Sequence, residues 1–366
     1  MCVRDITILT AAIVSYFQFK TAADQKARNI RCCYYCAWHL YKMSSDKERV
    51  KVLDGGFATQ LSTHVSAPVD GNPLWSSAFL KTDPEAVVMT HCDFLRAGAQ
   101  IITTNTYQAS IGGFMKYLGL TEEESIDLIK KAVDLAKDAV AIFMEECTDQ
   151  TGIVKPLIAA SVGPYGASLH NGSEYSGSYV ETVSKKQMMD WHRSRMQVLV
   201  NAGVDFLAIE TIPAQDEAEA LADLLKEFST QKAWISFSCK DHHHVSHGEN
   251  FREAVASCLK HNPQQIIAVG TNCVNPAYIS SLLKDADQKI PFIVYPNSGE
   301  KYDAKTGWHS GDSCKPIESY VHEWLDLGVQ YIGGCCRTYP ADISKIRDTV
   351  ESWTRDHVSG KNKKEL

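Results

Sequence analysis

The chain has 366 residues, 44% of them apolar, enough to bury a large core within one α/β barrel plus extensions. With 44 acidic against 37 basic residues the net charge is −7, which argues against nucleic acid as a partner, and no apolar run reaches the ~18 residues of a membrane span. Twelve cysteines spread through a long, apolar-rich chain read as reduced thiols of a cytoplasmic enzyme, not as a disulfide scaffold.

Residues 1–48 read as an N-terminal extension, disordered or loosely docked. The apolar run 6–17 is too short to span a bilayer and is followed by Lys20, Lys26, Arg28 and Arg31. Asp5 and the lack of a small-x-small cleavage site argue against a secretory signal, with some other targeting segment as the alternative. The Cys32-Cys33-x-x-Cys36 cluster lacks the second Cys/His pair of a zinc finger.

From residue 50 onward, short β-rich apolar runs alternate with longer amphipathic stretches, the pattern of repeated βα units. A strand at 50–56 ends in Asp54-Gly55-Gly56. A helix opens at Asp83-Pro84-Glu85, where a capping carboxylate precedes a first-turn proline, and closes at Gly98. A strand at 100–107 precedes a helix with a capping box at 121–124 and an apolar stripe of Ile126, Ile129, Val133 and Ala136. The strand at 156–163 runs into a Gly-, Ser- and Tyr-rich connection, 164–179, expected to cover the barrel mouth as a lid. Strands at 204–212, 233–239, 266–274, 292–296 and 331–336 follow, separated by helices at 213–228, 251–259, 276–283 and 316–325, and a helix at 340–350 closes the series.

Eight such rounds, with strands apolar enough to be buried on both faces, predict a (β/α)8 TIM barrel over 49–354 and a charged tail over 355–366. The terminal Lys363-Lys364-Glu365-Leu366 is only faintly like an endoplasmic-reticulum retrieval tetrapeptide and reads as part of that solvated tail. In such a barrel, chemistry belongs at the carboxyl ends of the strands. Asp54, Asn105, Glu210, Cys273, Asn297 and Cys335-Cys336 all follow apolar runs.

Cys273 and the vicinal pair Cys335-Cys336 read as a thiolate Zn2+ site with one coordination position left for substrate. Adjacent residues of a regular strand face opposite ways, so Gly333 and Gly334 must loosen the backbone there. Cys92, Cys239 and Cys258 read as buried core thiols, and His242-His243-His244 as a solvated loop. Three thiolates leave a divalent centre with a net charge near −1, a poor activator of water but a good holder of a substrate thiolate, so attack by a substrate sulfur on an electrophilic carbon is expected. A cationic donor would suit both that charge and the aromatic faces of Trp75, Tyr107, Tyr165 or Tyr175. Asp54 and Glu210 are candidates for a substrate ammonium, and the Gly55 and Gly56 amides for a carboxylate, together reading an amino acid; capping the next helix is the alternative role for each acid. A zinc hydrolase on the same barrel would use His or carboxylate ligands, with a paired His-x-His near the first strand, where Asp54-Gly55-Gly56 stands instead.

The motifs Leu-Asp-Gly-Gly (53–56), Thr-Asn-Thr-Tyr-Gln-Ala-Ser (104–110), Gly-Pro-Tyr-Gly-Ala (163–167), Glu-Thr-Ile-Pro (210–213), Gly-Thr-Asn-Cys (270–273), Tyr-Pro-Asn-Ser-Gly (295–299) and Gly-Gly-Cys-Cys-Arg-Thr (333–338) occur in one order over 50–353. This set resembles the homocysteine S-methyltransferases. The resemblance implies a zinc-dependent barrel that methylates homocysteine to methionine, with Cys273, Cys335 and Cys336 as metal ligands. Asp54, Gly55, Gly56, Asn105, Glu210, Thr211, Trp75 and Tyr165 are then the expected substrate contacts, with Asp54 and Glu210 at the homocysteine amino group. The betaine-using branch has a tyrosine where this chain has Thr211, and the segments 74–76 and 172–175 look like the branch using a sulfonium donor. S-methylmethionine, or S-adenosylmethionine, is therefore the expected donor, with betaine as the alternative, and the protein is expected to act as a monomer or loose dimer on small molecules alone.

Overall fold

Eight short parallel strands carry the architecture: β1 (Lys51–Val52), β2 (Ile101–Thr103), β3 (Leu157–Val162), β4 (Phe206–Ile212), β5 (Lys232–Phe237), β6 (Ile266–Asn272), β7 (Phe292–Tyr295) and, after an antiparallel ribbon of β8 (Lys301–Asp303) and β9 (Gly307–His309), β10 (Val329–Ile332). The computed structural model describes residues 50–147, 154–284, 286, 290–303, 307–309 and 314–362. The 6–17 run, the Cys32-Cys33-x-x-Cys36 cluster and the 363–366 tetrapeptide lie outside them.

The strands pair in the order β1-β10-β7-β6-β5-β4-β3-β2. A parallel bridge between Leu53 and Ile101 joins the two ends, with Gln100 N donating to Val52 O (2.7 Å) and Asp54 N to Ile101 O (3.1 Å). The sheet thus closes into the expected TIM barrel. Its interior is filled by residues from successive strands: Leu53, Ile101, Ala159, Ala208, Trp234, Ala268, Ile293 and Tyr295. One large indole fits because three neighbouring strands present alanine, and its Nε1 donates to Tyr295 Oη at 3.0 Å, so no buried donor is wasted.

Local signals hold at several helix ends. Asp83 caps the helix Pro84–Ala97 by accepting from Ala86 N, and Gly98 ends it at φ 105°. Thr121 and Glu124 form the reciprocal box that starts Glu122–Glu146. Other elements differ from expectation. A helix at Lys185–Asn201 follows the lid, started by a Ser184–Gln187 capping box. The stretch expected as one helix at 316–325 is a 3-10 turn, Ile317–Ser319, followed by Val321–Asp326, and the last helix runs from Pro340 to Asn362. β10 stops at Ile332, ahead of the glycines, so Cys335 and Cys336 stand on a loop free of strand alternation. Among the described residues, no helix is long and apolar enough to cross a membrane.

Candidate metal centre

The three predicted sulfurs meet at the carboxyl end of the barrel. β6 ends at Asn272, and Cys273 takes a left-handed conformation (φ 49°) while its N donates to Tyr295 O at 3.1 Å. That conformation is uncommon for a residue with a Cβ and marks a turn held by its surroundings. The second arm is a tight loop: Cys335 N donates to Pro296 O (2.7 Å), Ser298 N to Cys336 O (3.2 Å), and Thr338 Oγ1 to Cys335 O (2.6 Å), with Arg337 left-handed at φ 64°. Gly333 lets this loop press on the end of β1; a Cβ there would stand 2.7 Å from Asp54 O.

The Sγ atoms of Cys273 and Cys336 are 3.6 Å apart, and those of all three cysteines lie within 4.8 Å of one another. A tetrahedral ion with metal–sulfur bonds of about 2.3 Å holds its sulfurs about 3.8 Å apart, so the trio fits one ion without rearrangement. Among the described residues no other group of three or more such ligands is this close together. Thiol hydrogen bonds from Cys335 and Cys336 hold Cys273 well below the usual cysteine range, while both partners are pushed well above it by their contact with Cys273. One thiolate at a time is what the bare trio supports; a bound cation lets all three ionise. Asn272 Nδ2 lies 3.9 Å from Cys335 Sγ, and Tyr175 Oη lies 3.6 Å from Cys273 Sγ.

Two carboxylates lie beside the sulfurs. Asp54 accepts from Thr103 N (2.7 Å) and Thr103 Oγ1 (3.0 Å), and Glu210 accepts from Ser161 Oγ. Burial pushes Asp54 up to about 8 against those hydrogen bonds, with Glu210 adding to the rise. Burial likewise lifts Glu210 to about 7, opposed by hydrogen bonds from Ser161 and Tyr295. Thr211 is left-handed at φ 58°, and Asn105 is locked to Ser76, accepting from its Oγ (2.6 Å) and donating to its O (2.9 Å). Trp75, also left-handed, sets its ring 5.8 Å from Tyr107, edge on.

Two of the expected contacts are engaged otherwise. The Gly56 amide donates to Thr338 O and Oγ1, both at 3.0 Å. Tyr165 packs its ring on Tyr179 (5.5 Å) and Trp191 (5.3 Å), beside a buried cluster that no motif announced. In that cluster Glu217 Oε1 accepts from Tyr165 N (2.6 Å) and pairs with His192 Nε2 (2.8 Å), Glu217 Oε2 accepts from Tyr179 Oη, and Arg195 holds the carbonyls of Tyr107 and Gly163. The Ser-x-x-Gln of the Ser184–Gln187 capping box is a signal that could have located the helix bearing His192 and Arg195.

This constellation coincides with a known family profile: that of the homocysteine S-methyltransferases matches residues 51–350. The chain belongs to that family. The betaine-homocysteine S-methyltransferase of Drosophila melanogaster is 44% identical over 321 residues, spanning 85% of this chain and 97% of that protein. Homocysteine S-methyltransferase 1 of Arabidopsis thaliana is 45% identical over 303 residues, 81% of this chain and 91% of its own. The metallated crystal structure of the homocysteine methyltransferase MmuM from Escherichia coli superposes with a TM-score of 0.72 at 38% identity, covering 83% of this chain and 97% of that one. As a member of the homocysteine S-methyltransferase family, the protein is a methyltransferase, and its cysteine trio could hold a metal ion, as the structure of that relative is of a metallated form.

Proposed function

We propose that this methyltransferase moves a methyl group from a sulfonium donor, S-methylmethionine or S-adenosylmethionine, to the thiol of L-homocysteine, giving methionine, with Zn2+ held by Cys273, Cys335 and Cys336. The observation that carries the reading is the convergence of those sulfurs within 4.8 Å at the barrel mouth. When bound, zinc supplies a site that keeps a substrate thiol deprotonated yet nucleophilic.

The chain's own residues bind and orient the substrate. Asp54 and Glu210, buried and short of positive partners, suit the homocysteine ammonium, whose charge would draw both carboxyls back toward ionisation. With the Gly56 amide taken by Thr338, the Gly55 amide is the one we carry forward for the substrate carboxylate. Asn105 after β2, Thr211 beside Glu210 on β4 and Trp75 in the turn Trp75–Ala78 shape the pocket, and Tyr165 contributes by anchoring the lid. The homocysteine sulfur, having released its proton, forms a bond to the donor methyl carbon as the carbon–sulfonium bond breaks, and the electron pair leaves with a neutral thioether.

Thr211, where the betaine branch has tyrosine, favours a sulfonium donor; the 44% identity to a relative named for betaine favours the other. Initial rates of methionine formation by zinc-loaded protein with homocysteine and, in turn, S-methylmethionine, S-adenosylmethionine and betaine decide between them. S-methylmethionine is expected to be fastest. A preference for betaine reverses the donor assignment, and no methionine from any of the three overturns the reading.

A further inference from the structure

The barrel mouth carries a third carboxylate that neither the metal trio nor the amino-acid contacts use. Glu174 lies in the lid, in the turn Ser173–Tyr175, and its backbone is fixed: Glu174 O accepts from Ser238 Oγ (3.3 Å), and Ser173 O accepts from Gly177 N (2.8 Å). Its Oε2 is buried without any hydrogen-bond partner. A buried carboxylate oxygen left unpaired is costly, and the turn that carries it reaches the sulfurs, since the next residue, Tyr175, puts its hydroxyl 3.6 Å from Cys273 Sγ. The nearest guanidinium on the metal loop is no remedy: Arg337 Nε donates to Glu300 Oε2 at 2.8 Å. Burial, and then the charge of Cys273, raise the Glu174 carboxyl, and Glu174 in turn raises Tyr107. Glu174 thus belongs to the turn that reaches Cys273 through Tyr175, and Trp75 packs edge on against Tyr107.

We propose that Glu174 binds the positive charge of the methyl donor. This rests on the functional reading above, in which the donor is a cation. The unpaired oxygen supplies the counter-charge, and the Tyr107, Tyr175 and Trp75 rings supply the apolar, electron-rich walls that onium groups favour. Asp54 follows β1 and Glu210 stands on β4, whereas Glu174 belongs to the turn Ser173–Tyr175, so acceptor and donor charges are met by different elements. A neutral methyl donor would leave Glu174 unpaired and gain nothing from it.

The test compares two methyl donors, cationic S-methylmethionine and the neutral methyl 4-nitrobenzenesulfonate, with homocysteine as acceptor, in zinc-loaded wild-type protein and E174Q, with E174D as a second variant that keeps the charge. The ratio of kcat/KM for the cationic donor to that for the neutral one is expected to fall about tenfold or more in E174Q, the size of one lost charge-assisted contact, and to fall less in E174D. Wild-type activity with an unchanged ratio in E174Q overturns the assignment, as does a variant whose loss lies wholly in the KM for homocysteine. Wild-type protein that makes no methionine from S-methylmethionine, S-adenosylmethionine or betaine overturns the functional reading, and this assignment with it.

Discussion

Asn272 grips Thr211 at both ends: Thr211 N donates to Asn272 Oδ1 (2.7 Å), and Asn272 Nδ2 donates to Thr211 Oγ1 (2.8 Å). A β-branched residue at φ 58° is strained, and this pair of hydrogen bonds holds it, fixing the turn directly after Glu210. The same Nδ2 stands 3.9 Å from Cys335 Sγ, so one amide links the carboxylate arm to the metal arm. Asn272→Ala is expected to cost about 2–4 kcal/mol in urea unfolding, since it leaves a buried N–H without a partner. It is also expected to weaken metal binding about 10- to 100-fold in a chelator titration, as removal of an outer-sphere partner does. Unchanged stability and metal affinity would contradict this linkage.

Strand β6 can approach β7 only because residue 270 lacks a side chain: a Cβ on Gly270 would sit 1.8 Å from Ile293 O. Nothing flexible lies in the way to move. Gly270→Ala should therefore fail to give folded protein, with a loss exceeding about 4 kcal/mol, the range reserved for severe overpacking or backbone strain. Soluble expression and the near-ultraviolet circular dichroism of the variant check this, and a native-like spectrum would refute it.

His91 is fully buried against Phe57, and neither ring nitrogen has a hydrogen-bond partner. Burial alone drops its pKa to about 3, so the folded protein holds it neutral while the unfolded chain titrates near 6.5. The stability this neutral form contributes is complete above pH 6.5 and is lost as pH falls toward 3. His91→Phe removes that dependence. The stability difference between wild type and variant should shift by about 2 kcal/mol in favour of the variant between pH 7 and pH 5. Parallel pH profiles for the two proteins would show the ring to be hydrated in solution.

The lid is tied down from behind. His192 and Glu217 pair at 2.8 Å with neither side chain exposed, and Arg195 Nη2 donates to His192 Nδ1 at 3.0 Å. Burial depresses His192 to about 4, so the ring is neutral, accepts at Nδ1 and donates from Nε2 to Glu217. Glu217 in turn holds Tyr165 N and Tyr179 Oη, at either end of the lid. Glu217→Ala is expected to destabilise by about 3–5 kcal/mol and to speed limited proteolysis within 164–181. An unchanged cleavage map would show that the lid is held by its other contacts.

The barrel and the sulfurs were legible in the sequence for local reasons. Most strands lie in nearly continuous apolar runs, and each of the three cysteines stands where such a run meets polar residues. The Asp83 and Thr121 caps sit three residues from the groups they satisfy, within the reach of a motif. Asn272 and Thr211 are 61 positions apart, and Tyr179 and Glu217 38 apart, so only closure of the barrel brings them together. The true end of β10 was hidden for a different reason. The apolar run continues through Gly333-Gly334-Cys335-Cys336, and the hydrogen bonds of Gly334 N to Asp54 O and of Cys335 N to Pro296 O, made across the barrel, hold that stretch as a loop. Glu174 lies in the 172–175 segment that resembles the sulfonium-using branch, yet its own part was not legible, because an unpaired oxygen is a property of its surroundings.

The central claim is that Cys273, Cys335 and Cys336 together hold one zinc ion that takes the homocysteine sulfur. Zinc K-edge X-ray absorption on the purified protein, with and without L-homocysteine, measures this directly. The expected result is one zinc per chain bound by three sulfurs and one lighter atom, becoming four sulfurs on addition of homocysteine, with zinc lost in Cys336→Ser. A zinc shell of nitrogen and oxygen ligands, or three sulfurs that homocysteine leaves unchanged, would contradict it.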